Sequence, residues 1–341
     1  MKAWVVIPTL NARELLLETL ASLERQTAPA GVVVVDNAST DGTADAVAAR
    51  HPGVRVVSNE CNLGFGAAIN RVALELRGDV LVLINNDVVC EPGFVAELVE
   101  PFGRPEVGMT AGVLLQADDP GRIDSAGIEL DTTLRSWDYL WNEPTSLLDR
   151  AADPVGPCGG AAAYRLTAFK ELAGFDETLF AYWEDVDLAL RFRAAGWQCA
   201  LAAHARALHR HGQTLGAASP AARRLEAFGR GYVLAKYRVG RRRPLLRAKV
   251  ALLDWPALAI HLLFRREVGP LRERLRARAA GLRGSGHRPP LELASVGFVT
   301  ALRRQASLLS LRFRGELPAH FGPAGRAPRA GRPETRPTDR A

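Results

Sequence analysis

The sequence predicts an α/β protein with a doubly wound, mostly parallel sheet and helices on both faces. Along residues 3–84, short apolar runs alternate with segments of helical spacing about ten residues long, which is typical of βαβ units. Each run is apolar throughout, as expected for strands that helices cover on both sides. The runs end in polar or glycine-rich loops, where an open sheet of this kind binds its ligands.

The predicted elements follow in order. In the first part of the chain, strands are predicted at 3–8, 32–35, 54–58 and 80–84, and helices at 12–26, 44–50 and 67–76. Leu16, Leu20 and Leu23 share one face of the first helix, for which Asn11 is the expected N-cap. Further on, helices are predicted at 94–102, 167–173 and 184–196, and strands at 107–114, 162–165 and 198–202. Asp, Pro and Gly are frequent in 117–154, so we expect loops there.

The charge divides the chain. Residues 1–219 contain 17 Lys and Arg against 29 Asp and Glu, whereas residues 220–341 contain 27 against 8. The basic part shows helical spacing near 221–238, 245–264 and 268–282. Its last residues are Gly, Pro and Arg with almost nothing to bury. We therefore predict a first domain at 1–219, a basic helical extension at 220–321 and a disordered tail at 322–341.

Several classes of protein are not expected. Four cysteines, Cys61, Cys90, Cys158 and Cys199, lie far apart without C-x-x-C spacing, which indicates reduced thiols in a cytoplasmic protein. The apolar run after Met1 is too short for a signal peptide. Residues 250–264 are apolar but polar residues interrupt them, and a bilayer span needs about 20 residues. This run fits a helix that lies at an interface or packs on the core.

Two acidic sites indicate chemistry. Asn85-Asn86-Asp87 follows the apolar run 80–84, and Trp183-Glu184-Asp185-Val186-Asp187 opens a helical pattern. Each has a structural alternative, because Asp is a common turn former and the first turn of a helix is commonly acidic. Asp187 is also placed to pair with Arg191 at i,i+4. Together, however, the two sites suggest carboxylates that serve one ligand-binding edge.

Five motifs occur in order along the chain. They are Ile7-Pro8-Thr9-Leu10-Asn11, Val35-Asp36-Asn37-Ala38-Ser39-Thr40-Asp41-Gly42-Thr43, Asn62-Leu63-Gly64-Phe65-Gly66, Leu83-Ile84-Asn85-Asn86-Asp87 and Trp183-Glu184-Asp185-Val186-Asp187. Over about residues 3–215 the chain resembles the family 2 inverting glycosyltransferases of the GT-A fold, and most of all their bacterial rhamnosyltransferase-like branch. The resemblance implies a nucleotide-sugar-dependent glycosyltransferase domain at 1–219 and a GT-A-type sheet.

The resemblance implies a donor site at the first four strand ends. Asp36 corresponds to the family residue that binds the nucleoside base, and a carboxylate can accept the ring N–H of uracil or of thymine. The donor is therefore a UDP- or TDP-sugar, with rhamnose as the sugar that the branch suggests. The expected donor-binding residues are Pro8, Thr9, Asn11, Asp36, Asn62, Gly64, Gly66 and Asn86.

A divalent metal, Mg²⁺ or Mn²⁺, is the implied cofactor. Asp87 stands where the family's Asp-x-Asp motif ends, and Asn85 replaces the first Asp. A hard cation there would neutralise the diphosphate leaving group. The family often completes this site with a histidine, which His209 supplies here. His211 is a close competitor, and a surface-loop histidine is the structural alternative for both.

The acceptor side is implied by the second acidic site. Asp185 matches the family's catalytic base, and one carboxylate that accepts the hydroxyl proton suffices for a single displacement. Glu184 and Asp187 are close enough in sequence to affect its pKa. Gly159, Gly160, Trp183 and Glu184 are the expected acceptor-side residues. Trp183 stacks on the acceptor sugar or, as the alternative, packs in the core.

The implied function is sugar transfer to a hydroxyl of a glycan or lipid-linked acceptor in cell-surface polysaccharide synthesis. The basic extension would then contact anionic lipid at the inner face of the plasma membrane, at about 1 kcal/mol per basic residue. A solvated or oligomerising extension explains its charge equally well. Nucleic acid is not an expected partner, because no basic face carries interleaved aromatic residues.

Two other functions stay as alternatives. A sugar-phosphate nucleotidylyltransferase would have a glycine-rich loop followed by Lys and Arg after the first strand, where this chain has Thr9-Leu10-Asn11-Ala12. A non-catalytic glycan- or membrane-binding module would tolerate the loss of Asp87 and Asp185, and both are present. No G-x-G-x-x-G follows the first strand, which argues against a dinucleotide site.

Overall fold

A computed structural model describes residues 1–210, 219–239, 243–263, 266–282 and 293–314. The strands are β1 (Ala3–Thr9), β2 (Gly31–Asp36), β3 (Arg55–Ser58), β4 (Val80–Ile84), β5 (Val88–Cys90), β6 (Val107–Gln116), β7 (Ile123–Ser125), β8 (Ile128–Leu130), β9 (Ser136–Asp138), β10 (Ala161–Arg165) and β11 (Gln198–His209). The helices are α1 (Arg13–Leu23), α2 (Thr43–Arg50), α3 (Phe65–Ala73), α4 (Phe94–Val99), α5 (Leu166–Glu171), α6 (Glu184–Ala194), α7 (Pro220–Lys236), α8 (Pro244–Leu263), α9 (Gly269–Gly281) and α10 (Phe298–Arg314). Two 3₁₀ helices lie at Glu100–Gly103 and Thr145–Arg150.

The main sheet has the order β3-β2-β1-β4-β10-β6-β11-β5, with β7 paired to β6. Strands β1 to β4 are parallel to one another, and β6 is parallel to β11. Strand β10 runs antiparallel to both of its neighbours and so joins the two parallel groups. The prediction of an α/β protein with a mostly parallel sheet is therefore confirmed.

The chain reverses its direction of winding between β1 and β4. From β1 it adds β2 and β3 on one side, then returns to add β4 on the other. Strand β4 pairs with β1 only as far as Leu83 with Val6, whereas β2 continues alongside β1 to Thr9. Pro8, which has no N–H to donate, lies where the pairing with β4 has ended. This reversal opens a crevice at the carboxyl ends of β1 and β4, the usual ligand position in such sheets.

Apolar layers cover both faces of the sheet, as the uniformly apolar strands predict. On one face, Leu16 and Leu20 of α1 pack with Phe94 of α4 against alternate strand residues. On the other, Ile69 of α3 and Phe192 of α6 pack against the intervening residues. Each β4 residue is completely buried, so the polar residues that follow β4 emerge from a rigid core.

The region 117–154, where we expected loops, is partly sheet. Strand β7 pairs with β6, and β8 forms a two-stranded sheet with β9. The side chains of β7 and β8 are buried and those of β9 are partly exposed. The turn-forming composition therefore concealed short strands that pairing and packing stabilise. Three further elements differ from the predictions: β5 and α10 were not predicted, and β11 continues past residue 202 to His209.

The C-terminal helices are bound to the sheet domain by buried charges. Arg230 of α7 is 2% exposed and donates to the carbonyl of Thr133 at 2.9 Å and to Asp254 of α8 at 3.3 Å. Asp254 also pairs with Arg274 of α9. Helices α7 and α9 approach closely because Gly231 and Gly281 have no side chain at their contact. The tail predicted at 322–341 lies outside the described residues, and the predicted domain limits stay a prediction.

Candidate active site

Polar side chains connect the strand ends at the crevice. The Asn86 amide donates to the Thr9 hydroxyl at 2.9 Å, which joins the residues after β4 to the end of β1. Asn11 accepts the Thr40 N–H at 2.8 Å, and its own N–H donates to the Ser39 hydroxyl at 2.9 Å. Asn11 is in the left-handed region with φ of 48°. The prediction that it caps α1 is wrong, because Ala12 holds the N-cap position. The role of Asn11 is to join two loops.

Asp36 ends β2 inside this group of loops. It is 4% exposed and accepts the Ser39 N–H at 3.2 Å and the Ser39 hydroxyl. The adjacent Asn37 donates to the carbonyl of Gly64 at 3.2 Å and accepts from Asn59 at 2.7 Å. These bonds place the loops after β2 and β3 side by side. Asn37 and Asn59 were not among the predicted site residues, although Asn37 follows Asp36 directly.

The predicted glycines pack against the segment that leads to α6. Gly64 has φ of 86°, and a Cβ there would lie 2.3 Å from the Phe180 carbonyl oxygen. A Cβ on Gly66 would lie 2.7 Å from the Phe175 Cβ. Asn62 holds the loop by accepting the Gly64 N–H at 2.9 Å. Close packing explains why glycine is required at both positions. A contact of these residues with the sugar donor stays a prediction.

Strand pairing brings Asp87 and His209 together. Val88 of β5 pairs with His209 of β11, so the preceding Asp87 lies beside the histidine ring. His209 Nε2 is 3.4 Å from Asp87 Oδ1, and both side chains are less than 10% exposed. Asp87 Oδ1 is buried and has no hydrogen-bond partner. An imidazole nitrogen and a free carboxylate oxygen that face each other are suitable ligands for a divalent cation.

Asp124 of β7 holds the other side of the His209 ring. Its Oδ2 is 2.6 Å from His209 Nδ1. Burial alone would lower the pKa of His209, but the Asp124 and Asp87 carboxylates beside its two ring nitrogens raise it to about 10. A carboxylate behind a histidine fixes the ring and directs the opposite nitrogen toward a metal in many metal sites. The sequence prediction missed Asp124, because it lies in the region assigned to loops.

Asp185 lies one residue inside α6, next to the glycine turn at Gly159. Asp185 Oδ2 accepts the Gly159 N–H at 3.2 Å, and Oδ1 accepts the Val186 N–H at 2.7 Å. On the other side of the turn, a Cβ on Gly160 would lie 3.2 Å from the Asn85 amide nitrogen. The glycine turn therefore connects the α6 carboxylate to the residues after β4. Two sites 100 residues apart in the sequence share one edge of the sheet.

Asp185 and Glu184 differ in the surroundings of their carboxyl groups. Glu184 is 6% exposed, and burial together with the nearby Asp185 charge raises its pKa well above the ordinary value of 4.5. Burial also raises the pKa of Asp185, but the two backbone N–H groups favour its charged form and oppose the rise. The pKa of Glu184 is therefore raised more than that of Asp185, which makes Asp185 the more readily ionised of the two. Glu184 Oε2 is buried with no hydrogen-bond partner.

Helix α7 covers the turn that precedes these carboxylates. Tyr182 and Trp183 have φ of 66° and 76°, a conformation that costs a non-glycine residue on the order of 1 kcal/mol. Trp183 is 7% exposed, and a Cβ on Gly229 would lie 2.6 Å from its ring. The Arg230 guanidinium lies 5.4 Å from the ring centre. The core-packing alternative therefore describes Trp183, whose ring is covered by α7.

A second contact from α7 reaches α6 itself. The Lys236 ammonium is 2.7 Å from Asp187 Oδ1 and 2.6 Å from Asp176 Oδ2. Asp187 also pairs with Arg191 at 2.8 Å, the i,i+4 pair that the sequence offered as a structural role. Asp187 is completely buried and so belongs to the support of α6. Nothing in the pattern around Lys236 predicted this contact, because the partners are about 50 residues apart.

His211, the competitor of His209, lies outside the described residues. The four cysteines are free, as expected. Burial raises the pKa of the Cys158 thiol, which precedes the glycine turn, to about 12, so it stays protonated at neutral pH. None of the described helices is both long and apolar enough to cross a lipid bilayer.

Comparison with known proteins agrees with this arrangement. Residues 4–173 match the family described as "Glycosyl transferase family 2". An N-acetylglucosaminyl-diphospho-decaprenol L-rhamnosyltransferase of Mycobacterium tuberculosis is 32% identical over 225 residues, which cover 58% of this chain and 72% of the relative. An O-antigen chain rhamnosyltransferase of Salmonella typhimurium is 29% identical over 227 residues, covering 63% of this chain and 68% of the relative.

A solved structure shows the same fold. The mannosyltransferase from Pyrobaculum calidifontis, determined with GDP-Man and Mn²⁺, has a TM-score of 0.53 at 20% identity and covers 93% of this chain and 87% of its own. That likeness confirms the predicted GT-A-type fold. The family match and the mycobacterial relative also show the family, because they are sequence matches, and the family match includes the strand ends that form the crevice. The chain belongs to glycosyltransferase family 2.

Proposed function

We propose that this glycosyltransferase moves a sugar from a nucleoside diphosphate to an acceptor hydroxyl with inversion, and that Asp185 is the base. The observation that carries the proposal is the position of Asp185, a half-buried carboxylate held by two backbone N–H groups. The glycine turn that donates one of them also touches Asn85 at the donor crevice. One ionised carboxylate suffices for a single displacement, since the acceptor releases one proton.

The crevice supports a UDP- or TDP-sugar as donor. Asp36 is a buried carboxylate at the end of β2 and can accept the ring N–H of uracil or thymine. Thr9, Asn11 and Asn86 are held in place by the hydrogen bonds between the strand ends. Both named relatives are rhamnosyltransferases, which supports rhamnose as the transferred sugar.

The residues present fit a divalent cation. Asp87 Oδ1 has no hydrogen-bond partner, and His209 Nε2 faces it. Within the described ranges, no three or more His, Cys, Asp and Glu side chains are grouped to hold an ion by themselves. The donor diphosphate and water would then supply the other ligands, which is usual for Mg²⁺ and suits Mn²⁺ as well. When bound, the ion stabilises the charge that develops on the leaving diphosphate.

The acceptor is proposed to be a sugar on a lipid-linked or growing glycan. The mycobacterial relative is named for a lipid-linked saccharide, and the Salmonella relative for an O-antigen chain. Glu184 is buried with a raised pKa, so beside the proposed base it would act as a neutral acid. Gly159 donates to Asp185 and packs against Phe65, so the glycine turn holds the base in place. The expected setting is cell-surface polysaccharide synthesis at the inner face of the plasma membrane, where the basic C-terminal region meets anionic lipid.

The test is nucleoside diphosphate release from TDP-rhamnose and a panel of UDP- and GDP-sugars, with Mn²⁺, Mg²⁺ or EDTA. The acceptor is a short-chain, water-soluble analogue of an N-acetylglucosaminyl diphospholipid, and the product is identified by mass and anomeric configuration. We expect release and transfer with one donor, abolished by EDTA, with inverted configuration. A retained configuration, or full activity in EDTA, contradicts the proposal.

A further inference from the structure

Helix α8 presents an apolar stripe to the outside of the molecule. Leu245, Leu252, Trp255 and Leu262 are 72%, 58%, 60% and 42% exposed. Their spacing of seven, three and seven residues places them along one side of the helix. Leu253, on the opposite side, is completely buried. Single exposed leucines are ordinary, but an apolar side that runs the length of a helix marks an interaction surface.

Helix α9 and its start repeat the pattern. Val268, Leu275 and Leu282 follow at intervals of seven residues and are 53%, 61% and 54% exposed. In contrast, Ala277 of the same helix is completely buried against α7. Two neighbouring helices of the basic region therefore both bury one side and expose leucines on another. We call these exposed residues of α8 and α9 the C-terminal apolar surface.

The fully exposed charges of this region have one sign. Six arginines in the described parts of 243–282 are exposed: Arg243, Arg247, Arg266, Arg272, Arg276 and Arg278. The carboxylates in the described parts of 243–282 form ion pairs and are less exposed. Asp254 is 5% exposed and pairs with Arg230 and Arg274. Glu267 pairs with Arg223 and is 26% exposed, and Glu273 is 24% exposed beside Arg276.

We propose that the C-terminal apolar surface docks on an anionic lipid bilayer. Leucines and a tryptophan would enter the boundary between headgroups and acyl chains while the arginines contact lipid phosphates, as in helices that lie in the membrane plane. None of the described helices is suited to cross the bilayer, which agrees with an interfacial position. The functional benefit of docking rests on the proposed function, because docking would keep the enzyme at the membrane where a lipid-linked acceptor is anchored.

A second copy of the chain fits the surface less well. Symmetric contact between two copies would set the same arginine-rich surface against itself, and the exposed arginines would repel one another. An anionic bilayer satisfies both the leucines and the arginines. Charge complementarity therefore selects the membrane as the occupant.

The experiment measures binding of the full-length protein to phosphatidylglycerol–phosphatidylcholine vesicles and to phosphatidylcholine vesicles by co-sedimentation. A Leu252→Gln, Trp255→Gln variant removes apolar contact without changing charge. A Leu74→Gln, Leu147→Gln variant is the matched control, because these leucines of the sheet domain are 40% and 41% exposed. An Arg272→Gln, Arg276→Gln variant tests the charge. Brominated acyl chains report whether tryptophan fluorescence is quenched at membrane depth.

We expect the wild type and the control to bind anionic vesicles, more weakly at high salt, and both other variants to bind about tenfold less or weaker still. Quenching by brominated lipid should disappear with Trp255. Equal binding of wild type and the Leu252→Gln, Trp255→Gln variant, or no binding of the wild type, would overturn the proposal. A third result would also overturn it: light scattering shows concentration-dependent dimerisation of the wild type that the Leu252→Gln, Trp255→Gln variant loses, and neither protein binds vesicles.

The water-soluble acceptor separates this inference from the proposed function. The Leu252→Gln, Trp255→Gln variant should transfer sugar to that acceptor at the wild-type rate, which shows that the enzyme is folded. If the wild type binds vesicles through this surface but transfers no sugar, the proposed function fails and the docking surface stands. If transfer succeeds and vesicle binding fails, the opposite holds.

Discussion

Two adjacent carboxyl groups of α6 are expected to have opposite roles. Asp185 is half-buried and accepts hydrogen bonds from two backbone N–H groups, whereas Glu184 is buried and one of its oxygens has no hydrogen-bond partner. The same chemical group one residue apart is thus a base in one case and a neutral acid in the other. Environment makes this distinction, since burial without donors favours the protonated form.

Asparagine at 185 and glutamine at 184 should therefore have different effects. Asp185→Asn removes the base, and we expect the rate of transfer to fall about a hundredfold to ten-thousandfold. Glu184→Gln keeps the shape and neutrality of the protonated acid, so the rate at pH 7 should stay within about threefold of wild type. Steady-state kinetics with the soluble acceptor measure both. A small loss in Asp185→Asn, or a large one in Glu184→Gln, contradicts the assignment.

The pH profile provides a second check on Asp185. Its pKa is raised, and the base must be charged, so activity should fall as the pH is lowered through a value above the ordinary 3.8. The limb belongs to the coupled pair rather than to one group. We expect Glu184→Gln to leave this acid limb of the pH profile nearly in place, because glutamine mimics the neutral acid that Glu184 is while Asp185 ionises. A limb that moves clearly to lower pH would show that Glu184 is already charged when Asp185 ionises.

Asp124 should affect metal affinity through His209. Its carboxylate lies 2.6 Å from His209 Nδ1, so Asp124→Asn leaves the ligands in place but weakens their orientation. We expect Mn²⁺ affinity, measured by calorimetry with nucleoside diphosphate present, to fall about tenfold or more. Asp118→Asn is the control, because Asp118 is exposed in the loop before β7. Equal affinities in the two variants would argue against the role of Asp124.

At the scale of elements, α7 supports α6 from outside the family match, which ends at residue 173. Lys236 bonds Asp187 of α6 and Asp176 of the preceding segment, and Tyr237 donates to Asp187 Oδ1 at 3.1 Å. Between these contacts lie Tyr182 and Trp183 with positive φ. Strained backbone persists only where the surroundings hold it, and α7 is that surrounding.

Removing the Lys236 charge should therefore affect catalysis more than donor binding. In Lys236→Met the Asp176 and Asp187 carboxylates each lose one charged partner, although Arg191 still pairs with Asp187. We therefore expect kcat to fall about tenfold or more while the KM for the donor stays within about twofold. Lys236→Arg should recover part of kcat, because it keeps the charge. Arg50→Met on the exposed end of α2 is the control. A parallel rise in donor KM would instead indicate general loss of structure.

At the scale of the whole molecule, the same ion pair links stability to pH. Burial would raise the pKa of Asp176, but Lys236 lowers it from 3.8 to about 2. A carboxyl group whose folded pKa is lowered stabilises the fold above its unfolded pKa. That stability is lost as the pH falls from about 4 to 2. Asp176→Asn should lack this part of the acid dependence in urea unfolding. The prediction is contradicted if the free energy of unfolding changes equally between pH 4 and 2 in the wild type and in Asp176→Asn.

Much of the fold was predictable because its signals are local. The first four strands and the helices between them follow from apolar runs and helical spacing, and the polar ends of the strands marked the crevice. The prediction was wrong for 117–154, where turn-forming residues hid β7 to β9. Those strands are three residues each, so pairing with neighbouring strands and, for β7 and β8, burial have to stabilise them. Asp124, which holds His209, was missed for the same reason.

By itself, the sequence determined the sheet class, the family and the residue types at the strand ends, because these depend on short-range periodicity and on motifs of five to nine residues. Only the tertiary structure decided which of those residues meet. Asp124 reaches His209 across 85 positions, and Lys236 reaches Asp176 across 60. Contacts of that range depend on strand pairing and on helix packing, for which no local pattern exists. They also affect the charge states of the carboxyl groups, since burial and partners shift each pKa from the value that the residue type sets.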